Sequence, residues 1–168
     1  MATRSITAEV PMTPRMTEDP AGLVPGMAEV SAALFKVTGN GSVPRSTISL
    51  VQLRAGQIAG STYLTVLHTG FLNKAGESQE RITSVASWQD SPYFTGAERA
   101  ALALVEAVLQ PTADGERVSD ELYALAAEHY EPKALATLMF AIGQVNFFTP
   151  VALIAKPVPG RSFTDPWN

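Results

Sequence analysis

Two histidines, His68 and His129, are the only imidazoles in the 168-residue chain, and it has no cysteine. Imidazole ordinarily titrates near pH 6.5, so His68, in the stretch AGSTYLTVLHTG (59–70), is the first candidate for general acid–base work. Its bland alternative is a buried core histidine hydrogen-bonded to a nearby Ser, Thr or carbonyl. The lack of thiols removes disulfides, thiolate chemistry and Cys-based zinc or iron–sulfur sites. Zinc usually takes three or four His, Cys or carboxylate ligands, and neither HxxxH nor HExxH occurs, so neither a metal nor a cofactor is expected. The glycines of Gly39-Asn40-Gly41-Ser42-Val43-Pro44 lack the third glycine of a dinucleotide loop, and no GxSxG or P-loop lysine is present.

On a helix, Ser61, Leu64, Thr65, His68 and Leu72 share one face. Ser61 lies two turns from His68, about 10 Å along the axis, too far for direct activation of a serine nucleophile within the helix. Thr65, three residues before His68, is within reach of it. His129, near the end of another helical segment, reads most simply as a partner of that helix's dipole.

These residues need helices to hold them. Residues 1–20, with prolines at 11, 14 and 20, read as an extended arm. Helical spacing of Leu23, Met27, Val30, Leu34 and Phe35 predicts a helix over 21–36. A second helix is expected from Pro44 to Gly60, and a third from Ser61 to Ala75 with Gly76 as its stop. A short helix over 77–88 and the loop 89–94 follow, with Trp88 and the loop as a structural plug. Thr95 and Glu98 form a capping box that opens a helix over 99–110, expected to be central. Ser119 caps a helix over 120–129, and the last helix runs from Pro132 to about Ala155, kinked at Pro150. The fold class is all-α, about seven helices over 21–155, with a proline-rich tail over 156–168 in which Trp167 is expected to pack on a neighbouring subunit.

Hydrophobic residues make up 46% of the chain, yet no apolar run is read as reaching the roughly 18 to 20 residues of a membrane span. The N-terminus lacks the apolar segment of a secretory signal, so a cytoplasmic protein without membrane attachment is expected. Net charge is −4 and the basic residues are scattered, which points away from nucleic acid.

Three stretches carry a family resemblance: LVQLRAGQIAGSTYLTVLHT (50–69), KAGESQERITSVASWQDSPYFTGAERAALALVEAV (74–108) and LMFAIGQVNFF (138–148). The chain resembles the carboxymuconolactone decarboxylase and alkylhydroperoxidase AhpD-like superfamily, an all-α fold that typically forms trimers or hexamers. Redox-active members carry a glutamate, a CxxC pair and a histidine; in this sequence those positions hold Ser49, Ser61, Leu64 and His68. Only the histidine is kept. Peroxide reduction there needs a thiolate and a resolving thiol, so the resemblance implies loss of that activity.

What remains is expected to be a mostly apolar pocket lined by Ser49, Ser61, Leu64, Thr65, Val66 and His68, with Arg54, Gln57, Tyr63 and Asn146 as further substrate-binding candidates. Arg54 reads more often as a salt-bridge residue than as a carboxylate clamp, and Tyr63 more often packs than reacts. Two functions stay open. One is a cofactor-independent lyase, isomerase or cyclase acting on a small organic intermediate, with His68 as the proton-transfer group. The other is a non-catalytic binding or scaffolding member of the superfamily.

Overall fold

A computed structural model describes residues 6–111, 115–162 and 165, and among them the chain is helical throughout, without strands. Eight α-helices follow in order: α1 (Pro20–Leu23), α2 (Met27–Thr38), α3 (Arg45–Ile58), α4 (Thr62–Lys74), α5 (Gln79–Thr83), α6 (Gly96–Leu109), α7 (Asp120–His129) and α8 (Pro132–Pro150). A 3₁₀ turn over Ser84–Ser87 extends α5, and a π turn over Val151–Ala155 extends α8. The expectation for Trp167 lies outside the described residues.

Three boundaries differ from the sequence reading. The helix expected over 21–36 is broken between α1 and α2, because Pro25 drives Val24 to extended backbone and Gly26 takes a left-handed φ of 87°. The helix expected over 77–88 begins at Gln79, capped by the Ser78 side chain, and tightens to 3₁₀ geometry after Thr83. At Pro150 the last helix passes from α to π winding rather than ending in a simple kink: proline cannot donate the i→i−4 bond, and the next five residues adopt the wider turn. Elsewhere the caps match expectation. Thr95 and Glu98 form the reciprocal box that opens α6, Ser119 accepts from the Leu122 amide, and Gly76 closes α4 with φ 80°.

The centre belongs to α3, not to α6. Ile48, Val51 and Ala55 of α3 pack into a cluster with Ala101, Val105, Leu138 and Ala141 of α6 and α8. Leu50 and Leu53 face a second cluster with Leu72, Val85, Trp88 and Leu102. A helix flanked by apolar partners on two sides is buried almost all round, and eight of its fourteen residues are. Gly56 is part of the reason α4 can lie so close. A Cβ there would stand 3.0 Å from Cβ of Leu64 and 3.2 Å from the Thr65 amide nitrogen.

Pro132–Ala155 is continuously wound and, by length and composition alone, apolar enough to cross a membrane, with mean hydropathy 1.7. Lys133, Thr137, Gln144, Asn146 and Thr149 interrupt the apolar run and hide it from a search for an unbroken one. In the fold the buried face of this helix, including Leu135, Leu138, Ala141 and Val145, belongs to the main core cluster.

Candidate functional site

A cavity of about 540 Å³ opens between α2, α4 and α8, with α1 at its mouth and Gln52 of α3 at its floor. The residues that shape it follow from helical geometry. On α4, Leu64, Leu67, His68 and Phe71 fall within about 100° of arc at roughly 100° per residue, so one face presents them together. On α8, Gln144, Val145 and Phe148 do the same, and Val151 follows from the π turn. Phe35 and Met27 of α2 close the far wall.

His68 is the exceptional group. It is 6% exposed, its Nδ1 is sealed from solvent without a hydrogen-bond partner, and no bond to Nε2 exists among the described residues. No hydrogen bond from Thr65 reaches it among the described residues. Phe71 instead meets the imidazole edge to face, with ring centroids 5.8 Å apart. Burial without a compensating charge pushes the His68 pKa down to about 4, so the ring is neutral at pH 7.

An amide pair lines the same cavity. Gln144 Oε1 accepts from the Thr38 hydroxyl at 2.9 Å and from Gln52 Nε2 at 3.2 Å, and Gln52 Nε2 also donates to the Ala141 carbonyl at 3.3 Å. Both glutamines are buried and both line the cavity. One end of each amide is saturated by protein. The other ends, Gln52 Oε1 and Gln144 Nε2, have no partner among the described residues and are not sealed from solvent.

Of the residues singled out from sequence, Leu64 and His68 line this cavity. Ser61 is buried, and its hydroxyl caps α4 by accepting from the Leu64 amide at 3.2 Å. Arg54 is held by Glu106 at 2.7 Å and donates to Gln57 at 3.3 Å, which engages both away from the cavity. The Tyr63 hydroxyl donates to the Arg161 carbonyl at 3.0 Å, and burial with the nearby charges of Asp165 and Asp19 pushes its pKa well above the usual phenol range. Asn146 lines a different groove, of about 310 Å³, with Tyr123, Leu135 and Met139. Ser49 and Thr65 are half-buried and Val66 is exposed, and none of the three lines the cavity. His129 sits in the last turn of α7 as expected and packs against Gly96 at the start of α6, where a Cβ would meet its ring at 3.0 Å.

Gln52 and Gln144 are the site residues that the sequence reading passed over. A signal for each was present: a lone polar residue at a position that helical spacing assigns to a buried face. Thr137, Ala141, Gln144 and Phe148 follow one another at intervals of four, three and four. Asn146, chosen instead, lies about 200° round the helix from Gln144.

Comparisons with known proteins agree with this architecture. A model of the carboxymuconolactone decarboxylase family matches residues 23–107. The uncharacterized protein YdfG of Bacillus subtilis (strain 168) is 30% identical over 132 residues, which span 78% of this chain and 88% of that protein. The uncharacterized protein YnjA of Escherichia coli (strain K12) is 32% identical over 100 residues, 58% of this chain and 52% of that protein. Among solved structures, an Agrobacterium tumefaciens protein of unknown function bearing the AhpD name aligns with TM-score 0.76 at 23% identity, over 87% of this chain and 99% of that one. The debrominase Bmp8 in complex with 2,3,4-tribromopyrrole aligns with TM-score 0.72 at 19% identity, over 83% of this chain and 74% of that one. At these identities the solved structures establish a shared fold.

Proposed function

The chain belongs to the carboxymuconolactone decarboxylase family, and from that premise we propose that it is a cofactor-independent enzyme of lyase or isomerase type with His68 as its proton-transfer residue. The observation that carries this is the state of His68: buried, neutral, and without a hydrogen-bond partner among the described residues at the wall of a cavity. An unpaired buried polar group costs about 1–3 kcal/mol, a cost that a purely structural histidine would be expected to relieve through a partner. With its proton on Nδ1, the ring offers the Nε2 lone pair to a bound molecule. A substrate C–H or O–H proton passes to Nε2, and its electron pair stays in the substrate's conjugated system. Returning the proton at a second atom completes an isomerisation, and expelling a group that takes its bonding pair completes an elimination; in a decarboxylation the carbon that loses CO2 keeps the bonding pair and takes the proton back from Nε2. Peroxide reduction through a thiol is not part of this chemistry, since the chain has no cysteine.

The fold neighbour that binds a halogenated pyrrole supports a small ring as substrate. Assembly as a trimer or hexamer belongs to the same reading, supported by the outward apolar side chains Met139, Phe140 and Ile154 of the last helix. A stable monomer in sedimentation at micromolar concentration would remove it.

The test of catalysis is proton exchange. Small enolisable carbonyl compounds and hydroxylated aromatics are incubated with the protein in D₂O, and exchange or rearrangement is followed by NMR. Exchange above the blank is expected, falling by about 100-fold or more in His68→Gln with the helical signal intact. Equal rates in a folded His68→Gln protein refute the role. A non-catalytic binding member is the second reading, and one observation favours it: among the described residues no carboxylate is paired with His68 to stabilise an imidazolium. Ligand binding without exchange would select that reading.

A further inference from the structure

The geometry points to a ligand class: an uncharged aromatic ring carrying one O–H or N–H, its polar edge docked on the Gln52–Gln144 amide pair in the cavity that His68 lines. This rests on the reading of the cavity as the substrate site, and it adds what that site selects.

The selectivity arises in three parts. The walls are aromatic and aliphatic, with Phe35, Phe71, Phe147 and Phe148 among the lining residues, which suits a flat apolar body. Charge is the second part. No Lys or Arg is among the described lining residues, and the one formal charge is Asp19 at the mouth. An anion entering there would lose its hydration and gain no cation, so a lactone bearing several carboxylates is a poor match. The amide pair is the third part. Because Thr38 and Gln52 together occupy Gln144 Oε1, the network is fixed with Gln144 Nε2 as an available donor and Gln52 Oε1 as an available acceptor. A hydrocarbon would cover these groups and leave them unpaired; a hydroxyl can donate to Gln52 Oε1 and accept from Gln144 Nε2, and a ring N–H can donate to Gln52 Oε1.

Three probes of one shape separate these parts: naphthalene, 2-naphthol and 2-naphthoate, measured by equilibrium dialysis at pH 7.5 with the full chain. The expected order is 2-naphthol tightest, naphthalene about three- to tenfold weaker, and 2-naphthoate weaker than 2-naphthol by at least about tenfold. In Gln144→Met, which removes the donor at similar volume, the advantage of 2-naphthol over naphthalene should shrink to within about twofold. Should that variant fail to fold, Gln52→Met makes the equivalent test, and the order measured on the unaltered protein stands without either.

The proposal is overturned if 2-naphthoate binds as tightly as 2-naphthol, if 2-naphthol is no tighter than naphthalene, or if no probe binds. An unchanged 2-naphthol preference in a folded glutamine variant overturns it as well. The catalytic reading fails separately. Selective 2-naphthol binding with no proton exchange in any compound sinks catalysis alone, whereas exchange with naphthoate preferred sinks this inference alone.

Discussion

Gln52 and Arg54 stand two residues apart on α3, about 200° round the helix, and their side chains enter opposite environments. On the Arg54 side no sealed side-chain polar atom among the described residues lacks a partner. Glu106 accepts from Arg54 at 2.7 Å, from Trp88 Nε1 at 2.9 Å and, through its other oxygen, from Gln89 at 2.9 Å. Arg99 stacks 5.3 Å over the Trp88 ring and donates to the carbonyls of Trp88, Gln89 and Ser91. Arg81 grips Glu98 with two nitrogens, at 2.6 and 3.0 Å. Burial pushes the Glu98 carboxyl up, but the bonds from Arg81 and Thr95 outweigh it and hold it below the usual carboxylate range. On the Gln52 side the amides are half satisfied and the imidazole not at all. The lesson is that polarity inside a fold does not mark a site; polarity left without a protein partner does. The first region is mortar for the 89–94 loop, and the second is where the proposed ligand would complete the amide bonding.

The sharpest way to break this comparison is to remove one partner from each side. Glu106→Ala strips Arg54 and Trp88 Nε1 of their acceptor. Uncompensated buried charge typically costs about 3–5 kcal/mol, and partial exposure of this pair brings the expectation to about 2–4 kcal/mol. Urea unfolding should show a lower midpoint with an unchanged slope. A loss below about 1 kcal/mol would mean that the closed network does not hold the loop.

Acid should reveal the open side. Above about pH 6.5 His68 is neutral both folded and unfolded. Between about 6.5 and 4 the unfolded chain takes up a proton that the folded chain refuses, so stability falls as the pH falls through that window. A displacement of that size is worth up to about 3 kcal/mol. Unfolding midpoints from pH 7.5 to 4 should therefore drop further in the unaltered protein than in His68→Leu. Parallel curves would refute the buried, neutral state of the ring.

The same variant at pH 7.5 gives a smaller effect of the opposite sign to Glu106→Ala. Replacing an unpartnered imidazole by an apolar side chain removes an unmet polar demand, and His68→Leu is expected to raise stability by about 1 kcal/mol while abolishing proton exchange. Destabilisation would place a hidden hydrogen bond on His68 and return it to the structural class.

How far the sequence could be read follows the same division. Helix starts and stops were legible where local chemistry sets them, as at Ser119, at Thr95 with Glu98 and at Gly76. Pro25-Gly26 carried its own signal and was overrun by an apolar repeat that continued on both sides of it. His68 and Leu64 were legible as one face because i and i+4 are neighbours within a single helix. The rest of the cavity comes from other helices, and contact between Gln52 of α3 and Gln144 of α8 depends on packing that no local pattern encodes. Ser49 and Ser61 stand at positions where redox-active members of the superfamily carry functional groups. In this chain those positions carry side chains that no longer line the cavity.

Ser61 makes the finest test of that last point, because two small substitutions separate its possible roles. As an N-cap it has extended backbone, φ −96° and ψ 108°, and its oxygen accepts from the Leu64 amide. Alanine keeps the backbone preference but deletes the acceptor, and loss of such a cap costs about 1 kcal/mol. Glycine also lacks the oxygen, yet it leaves the first-turn amides open to water and is tolerated at caps at a cost of only a few tenths of a kcal/mol. The expected order is therefore Ser61→Ala below Ser61→Gly in stability, with 2-naphthol affinity unchanged in both. A hydroxyl that faced the ligand would behave otherwise: both variants would lose affinity alike, because both lose the same atom. Equal losses of affinity would move Ser61 from the scaffold of α4 to the wall of the cavity and blur the boundary between the closed and open sides.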